Sequence, residues 1–146
     1  MEKPSGYVKM NTKELLKKIA EGAKKSKYRS IRTHYKGRNY DSKIEALRAS
    51  ELDILHTQKT VVTWSPQFIV RLTDKIEWKV DFFVLSLSSN GTLYPYLEET
   101  KGKITPDYKI KLDLYKQFGM LDLHIKMRKD SRWYTEIIYP ETLKKV

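Results

Sequence analysis

Two runs of mainly apolar residues, 78–87 and 93–100, place the strongest constraint on how this chain folds. Both runs are rich in aromatic and aliphatic side chains and are of strand length, which predicts two β-strands. The first four of the five residues between them, 88–91, are Ser-Ser-Asn-Gly, a composition typical of a hairpin loop. The sequence therefore predicts two antiparallel neighbouring strands in the middle of the chain.

The register of this hairpin depends on the length of its loop. If residues 90–91 form a two-residue loop, Asp81 lies opposite Thr100 and not opposite Glu99. If residues 89–91 form a three-residue loop, the glycine supplies the left-handed residue that such loops need. Asp81 then pairs directly with Glu99. We favour the three-residue loop.

The other predicted elements complete an α/β pattern. N-cap residues followed by apolar spacing predict helices, and alternation of apolar and polar residues predicts strands. Pro66 divides one β-rich stretch into two runs, and the helix that begins at Pro106 stops at Gly119. We therefore predict an α/β fold, with a mixed central β-sheet flanked by helices. The predicted helices cover residues 11–25, 42–57 and 106–118, the further strands cover 60–64, 68–72, 121–127 and 133–139, and a small turn surrounds Gly37.

The net charge of +11 is distributed unevenly along the chain. Residues 1–50 hold 14 Lys/Arg and 5 Asp/Glu, residues 51–100 hold 4 and 7, and residues 101–146 hold 11 and 6. Basic ends favour a polyanionic partner, because displaced counterions drive such binding. Solubilising surface charge is the alternative explanation. The acidic middle repels phosphate unless a cation lies there.

Composition excludes several classes of protein and bounds the domain organisation. The chain has no cysteine, which excludes disulfide frameworks, thiolate nucleophiles and iron–sulfur sites. No apolar run approaches the roughly 20 residues that span a bilayer, and the lysine-rich N-terminus lacks the apolar core of a signal peptide. We therefore expect a cytoplasmic protein with no membrane partner. We predict a basic helical segment at residues 1–27 and one globular domain at residues 28–146.

Asp81, Glu99 and Lys101 form the candidate chemical centre. Strand alternation places Glu99 and Lys101 on one face, with Cα atoms about 7 Å apart. If Asp81 is opposed to Glu99, the two carboxylates repel each other unless a proton or a cation lies between them. Magnesium, a hard cation with oxygen ligands, suits that position, and Lys101 could orient an attacking water or offset transition-state charge. Two alternatives remain: Glu99 and Lys101 form a solvated surface pair worth about 0–1 kcal/mol, or a bulge at Pro95 shifts the register.

Glu45 has a structural interpretation of its own. Ser42 and Glu45 have the spacing of a capping box, in which both side chains satisfy backbone groups at the start of a helix. Taken alone, this spacing favours a helix cap over a role in a metal site.

Basic and aromatic residues on both sides of this centre are candidates for nucleic-acid contact. Tyr28, Tyr35 and Tyr40 alternate with arginines and are candidates for stacking on bases. Lysines that follow Lys101 could reach a phosphate, although a solvated helix face is the alternative for Lys116. The three histidines show no ligand spacing and receive no catalytic role. The candidate DNA-binding residues are Arg29, Arg32, Lys36, Arg38, Lys103, Lys109 and Lys111.

Taken together, these residues resemble the PD-(D/E)XK nuclease superfamily. The resemblance covers about residues 28–128, and its best match is a family of small phage proteins. The Glu-Thr-Lys-Gly ending is similar to that of phage junction-resolving endonucleases, and the fold is similar to that of archaeal Holliday-junction resolvases. Val80 stands where the family has Pro or Ala, and the Pro-Gln order at residues 66–67 is reversed. The matching blocks are Gly37 with residues 40–46 (Tyr-Asp-Ser-Lys-Ile-Glu-Ala), 64–68 (Trp-Ser-Pro-Gln-Phe), 80–82 (Val-Asp-Phe) and 98–102 (Glu-Glu-Thr-Lys-Gly).

The resemblance implies a restriction-endonuclease-like core and a role for each site residue. Glu45 would be the acid from the helix, Asp81 and Glu99 would be metal ligands together with Glu45, and Lys101 would be the superfamily lysine. The cofactor would be Mg²⁺, or Mn²⁺.

The implied activity is that of a metal-dependent, structure-selective endodeoxyribonuclease, a Holliday-junction resolvase that cuts branched DNA. Symmetric cleavage of a four-way junction needs two sites, so we expect a homodimer. Two alternatives are a sequence-dependent or nicking endonuclease of duplex DNA with the same fold, and a non-catalytic DNA-binding protein.

Overall fold

The computed structural model describes residues 8–9, 31–101 and 104–144. The chain divides into two compact units, Met1–Ile54 and Leu55–Val146. The predicted helix at residues 11–25 and the predicted boundary between residues 27 and 28 lie outside the described residues.

A small sheet and most of a helix make up the described part of the first unit. The turn predicted around Gly37 is confirmed as a two-residue hairpin loop, in which Lys36 and Gly37 have φ values of 44° and 80°. Positive φ at both positions matches the right-handed twist of the flanking strands. The strands of the first unit are β1 (Val8–Lys9), β2 (Thr33–Tyr35) and β3 (Arg38–Tyr40), in the order β1-β2-β3 with β1 parallel to β2. They are followed by helix α1 (Lys43–Thr57), which continues into the second unit.

The second unit is built on a five-stranded mixed sheet, as the α/β prediction expects. Neighbouring strands follow the chain order and are antiparallel, except for one parallel pair, β6 and β7. A parallel pair needs a crossover connection, and helix α2 provides it. The elements are β4 (Val61–Arg71), β5 (Glu77–Leu87), β6 (Leu93–Thr100), α2 (Pro106–Phe118), β7 (Asp122–Lys129), β8 (Arg132–Ile138) and α3 (Glu141–Lys144).

The β5–β6 hairpin has the three-residue loop. Leu87 pairs with Leu93, and the ladder runs without a shift to Phe82 opposite Glu98. Gly91 has a φ of 83°, the left-handed conformation that the three-residue loop requires. Pro95 pairs with Leu85 and introduces no bulge. The register that aligns Asp81 with Glu99 is therefore confirmed.

The prediction that Pro66 separates two strands is wrong, because β4 is continuous through it. Pro66 pairs with Phe82 inside an eleven-residue strand. Among the described residues β4 pairs only with β5, so it is an edge strand of its sheet. An edge strand accommodates proline because the missing N–H can face away from the ladder.

Helix α2 packs on the sheet through two tyrosines. Tyr108 and Tyr115 both lie edge-on to Trp78, with ring centroids 5.8 and 5.9 Å away. Aromatic pairs prefer this arrangement, because the positive ring edge meets the negative ring face. The same core includes Leu72, Val80, Leu97, Leu123, Ile125 and Ile138.

The predicted ends of α2 are confirmed, but the glycine that caps its C-terminus, Gly119, is required there for a steric reason. Thr105 is the N-cap, and its hydroxyl accepts the Tyr108 N–H. Gly119 has a φ of −62°, so the left-handed conformation is not what requires glycine there. A Cβ atom at this position would lie 2.6 Å from Cε1 of the Tyr115 ring.

Candidate active site

Asp81 and Glu99 exchange hydrogen bonds across the end of the β5–β6 ladder. The Asp81 backbone N–H donates to Glu99 Oε2 at 3.1 Å. In return, the backbone N–H and the hydroxyl of Thr100 donate to Asp81 Oδ2 at 2.8 and 2.7 Å. Each carboxylate thus takes a backbone donor from the opposite strand, just beyond the last ladder pair. This exchange holds both acids at one point of the sheet.

The alternation of strand β5 is interrupted at Asp81. The β4–β5 ladder skips the pair Gln67–Asp81, and Gln67 has a φ of 56°. Val80 belongs to the core beneath α2, and Phe83 also packs against that core, although strict alternation would send them to opposite faces. Irregularities of this kind redirect a side chain next to a functional site.

Lys101 is held between a carboxylate and an aromatic ring. Its Nζ lies 3.8 Å from Glu99 Oε1 and 4.2 Å from the centroid of the Tyr108 ring. Its backbone N–H donates to Lys126 O at 2.8 Å, which continues the β6–β7 pairing past the end of β6. The side chains of Lys101 and Glu99 are 23% and 7% exposed. The alternative of a solvated surface pair is therefore wrong.

Burial dominates the electrostatics of Asp81. Desolvation raises the pKa of Asp81 to about 6, against hydrogen bonds from Thr100 and the positive charge of Lys101, which lower it. The neighbouring negative charge of Glu98 raises the pKa further. A carboxyl group whose pKa is raised in this way takes up a proton readily. A bound cation would also offset the desolvation cost of the charged carboxylate.

The raised pKa of Asp81 predicts that the metal-free protein gains stability when the pH falls from 8 to 5. The native pKa exceeds the unfolded value, so the native state binds the extra proton, and the stabilisation is lost as pH rises through about 6. Between pH 8 and 5 the contribution is about 1 kcal/mol. Urea unfolding in EDTA at pH 8 and pH 5 measures this contribution. It is the difference between wild type and Asp81→Asn in the change of unfolding free energy between the two pH values. An equal pH dependence in both proteins would contradict the assignment.

Glu45 is bonded to its own helix cap. The Ser42 hydroxyl accepts the Glu45 N–H at 3.2 Å and donates to Glu45 Oε1 at 3.1 Å. The N-cap predicted from their spacing is therefore present. Glu45 lies in the first unit, whereas Asp81 and Glu99 lie in the second. The role of Glu45 as the helix acid of the metal site stays a prediction.

The candidate DNA-binding residues lie in different settings. Arg32, Arg38 and Lys109 are exposed, and Lys111 is half-buried. Lys36 is largely exposed, and its Nζ pairs with Asp53 Oδ2 at 3.1 Å, a contact that raises its pKa. Arg29 and Lys103 lie outside the described residues.

Two of the three tyrosines proposed to stack on bases are not available for that role. Tyr35 and Tyr40 are 5% and 3% exposed. The Tyr35 hydroxyl donates to Asp53 Oδ2 at 2.9 Å, and burial raises the pKa of Tyr40 to about 12. This part of the stacking prediction is wrong, because burial of both side chains, and for Tyr35 a hydrogen bond, leaves neither ring accessible to a base. Tyr28 lies outside the described residues.

Strands β6 and β7 carry a polar cluster that sequence reasoning missed. The Tyr94 hydroxyl donates to Asp122 Oδ2 at 2.6 Å and lies 3.1 Å from His124 Nε2. The His124 ring stacks on Tyr96 at 3.9 Å between centroids. The parallel register, which pairs Tyr96 with Asp122, brings these side chains together. Since no local signal predicts which strands pair in parallel, histidine spacing alone could not reveal the cluster.

No group of three or more His, Cys, Asp or Glu side chains that could hold a metal ion occurs in residues 8–9, 31–101 and 104–144. Within the same ranges no helix has the length and apolar character needed to cross a membrane.

The comparisons with known proteins found no relative. No family model matches the chain, and no curated protein or solved structure matches it. The description of this protein therefore rests on its α/β architecture, its mixed sheet and the contacts of Asp81, Glu99 and Lys101.

Proposed function

We propose that this chain is a metal-dependent endodeoxyribonuclease with a restriction-endonuclease-like core. The observation that carries the proposal is the exchange of hydrogen bonds between Asp81 and Glu99 at the end of the ladder, with the Lys101 ammonium 3.8 Å from Glu99. Two acids and a lysine at one point of a mixed sheet supply the chemistry that phosphodiester hydrolysis needs. The sequence blocks that resemble the PD-(D/E)XK superfamily favour this chemistry over a structural ion pair.

The residues present fit a hard divalent cation. Asp81 Oδ1 accepts no hydrogen bond from the described residues, and both Thr100 donors go to Oδ2. Burial has already raised the pKa of Asp81, so a cation would stabilise the charged form. Asp81 and Glu99, with Glu45 as the predicted third acid, would hold Mg²⁺ or Mn²⁺. When bound, the cation supplies a Lewis acid for the phosphate and lowers the pKa of a water molecule.

Each side chain then has a distinct task. Asp81 and Glu99 supply the negative charge of the site, and Lys101 places a positive charge next to Glu99 Oε1. The ammonium group orients the attacking water or offsets negative charge at the phosphorus in the transition state. Water adds to phosphorus as the 3′-oxygen leaves, which yields 5′-phosphate and 3′-hydroxyl ends.

Branched DNA is the proposed substrate, in the manner of phage-type Holliday-junction resolvases. The basic ends of the chain would bind the DNA backbone. Arg32, Arg38, Lys109 and Lys111 are the described candidates for these contacts. A homodimer would present two sites to the two strands that are cut. The proposed location is the cytoplasm of a bacterial or phage-infected cell.

Cleavage of matched substrates tests this proposal. With MgCl₂ we expect the chain to cut a four-way junction at least about tenfold faster than a linear duplex built from the same arm sequences, a factor equivalent to about 1.4 kcal/mol. Equal cutting of both substrates would remove the resolvase assignment and favour a duplex endonuclease. Binding of both without cutting would favour a non-catalytic DNA-binding protein.

A further inference from the structure

Tyr108, whose ring lies next to Lys101, has a buried hydroxyl that is unpaired among the described residues. Tyr108 is 4% exposed, and its hydroxyl oxygen has no hydrogen-bond partner among the described residues. Buried polar groups in folded proteins are nearly always hydrogen-bonded, and an exception calls for a specific explanation. A buried hydroxyl without a partner, beside the lysine of a proposed ion site, is explained by a ligand that supplies the missing partner.

The surroundings of the Tyr108 ring belong to the candidate active site. The Lys101 Nζ lies 4.2 Å from the ring centroid. Burial raises the pKa of Tyr108 strongly, and the negative charges of Glu99, Glu136 and Asp81 raise it further. The hydroxyl therefore stays protonated and uncharged at neutral pH, and its oxygen can accept a hydrogen bond.

Resting on the proposed function, we propose that Tyr108 is a further binding residue of this site. Its hydroxyl oxygen accepts a hydrogen bond from the hydration water of a divalent cation held by Asp81 and Glu99, and its ring positions Lys101. Mg²⁺ usually keeps several of its waters when a protein binds it through one or two carboxylates. Those waters donate hydrogen bonds to polar groups of the protein, and the Tyr108 hydroxyl has no partner among the described residues.

Tyr115 provides a matched control on the same helix. It contacts the same Trp78 ring as Tyr108 and is also fully buried. Its hydroxyl donates to Leu121 O at 2.6 Å, so it already has a structural partner. The contrast shows that the packing on Trp78 does not by itself leave a tyrosine hydroxyl unpaired.

Tyrosine NMR with the metal alone tests the inference. The chain contains ten tyrosines, and labelling each at Cζ gives resonances that report hydrogen bonding at the hydroxyl. Absence from the spectra of Tyr108→Phe and Tyr115→Phe assigns the two signals. On titration with MgCl₂, we expect the Tyr108 signal to shift and the Tyr115 signal to stay. A Tyr108 signal that stays in place, whether or not other signals move, would overturn the inference.

Affinity and stability separate a binding role from a structural one. We expect Tyr108→Phe to bind Mg²⁺ about three- to tenfold more weakly by calorimetry, the loss of one hydrogen bond. In EDTA its melting temperature should equal or exceed that of wild type, whereas Tyr115→Phe should melt lower, because it loses a bond that is already made. A lower melting temperature for Tyr108→Phe with unchanged Mg²⁺ affinity would assign Tyr108 a structural role and overturn the inference.

These measurements stand apart from the test of the proposed function, because they need no DNA. If Mg²⁺ shifts the Tyr108 signal but wild type cuts no DNA, the site is a metal site and the nuclease proposal fails. If wild type cuts the junction and Tyr108 fails to respond, the nuclease proposal stands and the Tyr108 inference fails.

Discussion

We expect replacement of Asp81 by Asn to lower junction cleavage by roughly 10³-fold or more and to leave DNA binding within about twofold of wild type. The amide oxygen can still accept the two Thr100 donors, so the end of the ladder keeps its geometry. The negative charge that would hold the cation is lost, and an amide is a weaker ligand for a hard cation. Single-turnover cleavage with MgCl₂ and a gel-shift assay in EDTA measure the two effects separately.

Asp113→Asn is the matched control for this prediction. Asp113 is exposed on α2, and the same change of charge there should leave cleavage within about twofold of wild type. Unchanged cleavage by Asp81→Asn would remove Asp81 from the site. Loss of binding in parallel with loss of cleavage would show that the carboxylate supports DNA contact or folding and not the chemical step.

We expect replacement of Lys101 by Met to lower single-turnover cleavage at saturating MgCl₂ by about 10²- to 10³-fold, the usual effect of removing one charged group that stabilises a transition state. Methionine keeps an apolar stem that can pack on the Tyr108 ring, so the fold is retained. Removing the ammonium also removes the ion pair at 3.8 Å between Lys101 and Glu99. Divalent-cation affinity should therefore stay the same or rise, in contrast to the effect of Asp81→Asn.

Lys79→Met removes the same charge from an exposed position on β5, two residues from Asp81. We expect it to change cleavage less than threefold, mainly through weaker attraction of DNA at low salt. If both lysine variants lose cleavage to the same extent, net charge explains the effect of Lys101. Full activity of Lys101→Met would contradict its assignment to the site.

Local signals in the sequence predict much of this fold. Thr105 and Pro106 mark the start of α2, and Gly119 marks its end at the observed residues. The polar loop that ends in Gly91 predicts both the β5–β6 hairpin and its register. These features succeed because caps and tight loops depend on the backbone preferences of a few adjacent residues.

The features that sequence reasoning misses depend on long-range packing. Pro66 interrupts a strand by local rules, yet the edge position of β4 accommodates it. The change of phase at Asp81 and the unpaired hydroxyl of Tyr108 arise only when β5, β6 and α2 come together. Strand alternation places Glu99 and Lys101 on one face, but it does not predict the exchange of hydrogen bonds that fixes Asp81.

Crystals of the wild-type chain soaked in MnCl₂ would locate the proposed cation in an anomalous difference map. We expect a peak within coordination distance of a carboxylate oxygen of both Asp81 and Glu99, and no such peak in Asp81→Asn crystals treated in the same way. Manganese peaks elsewhere in the map with none at Asp81 and Glu99 would contradict the proposed metal site. A peak at these two residues that persists in the Asp81→Asn crystals would contradict it as well.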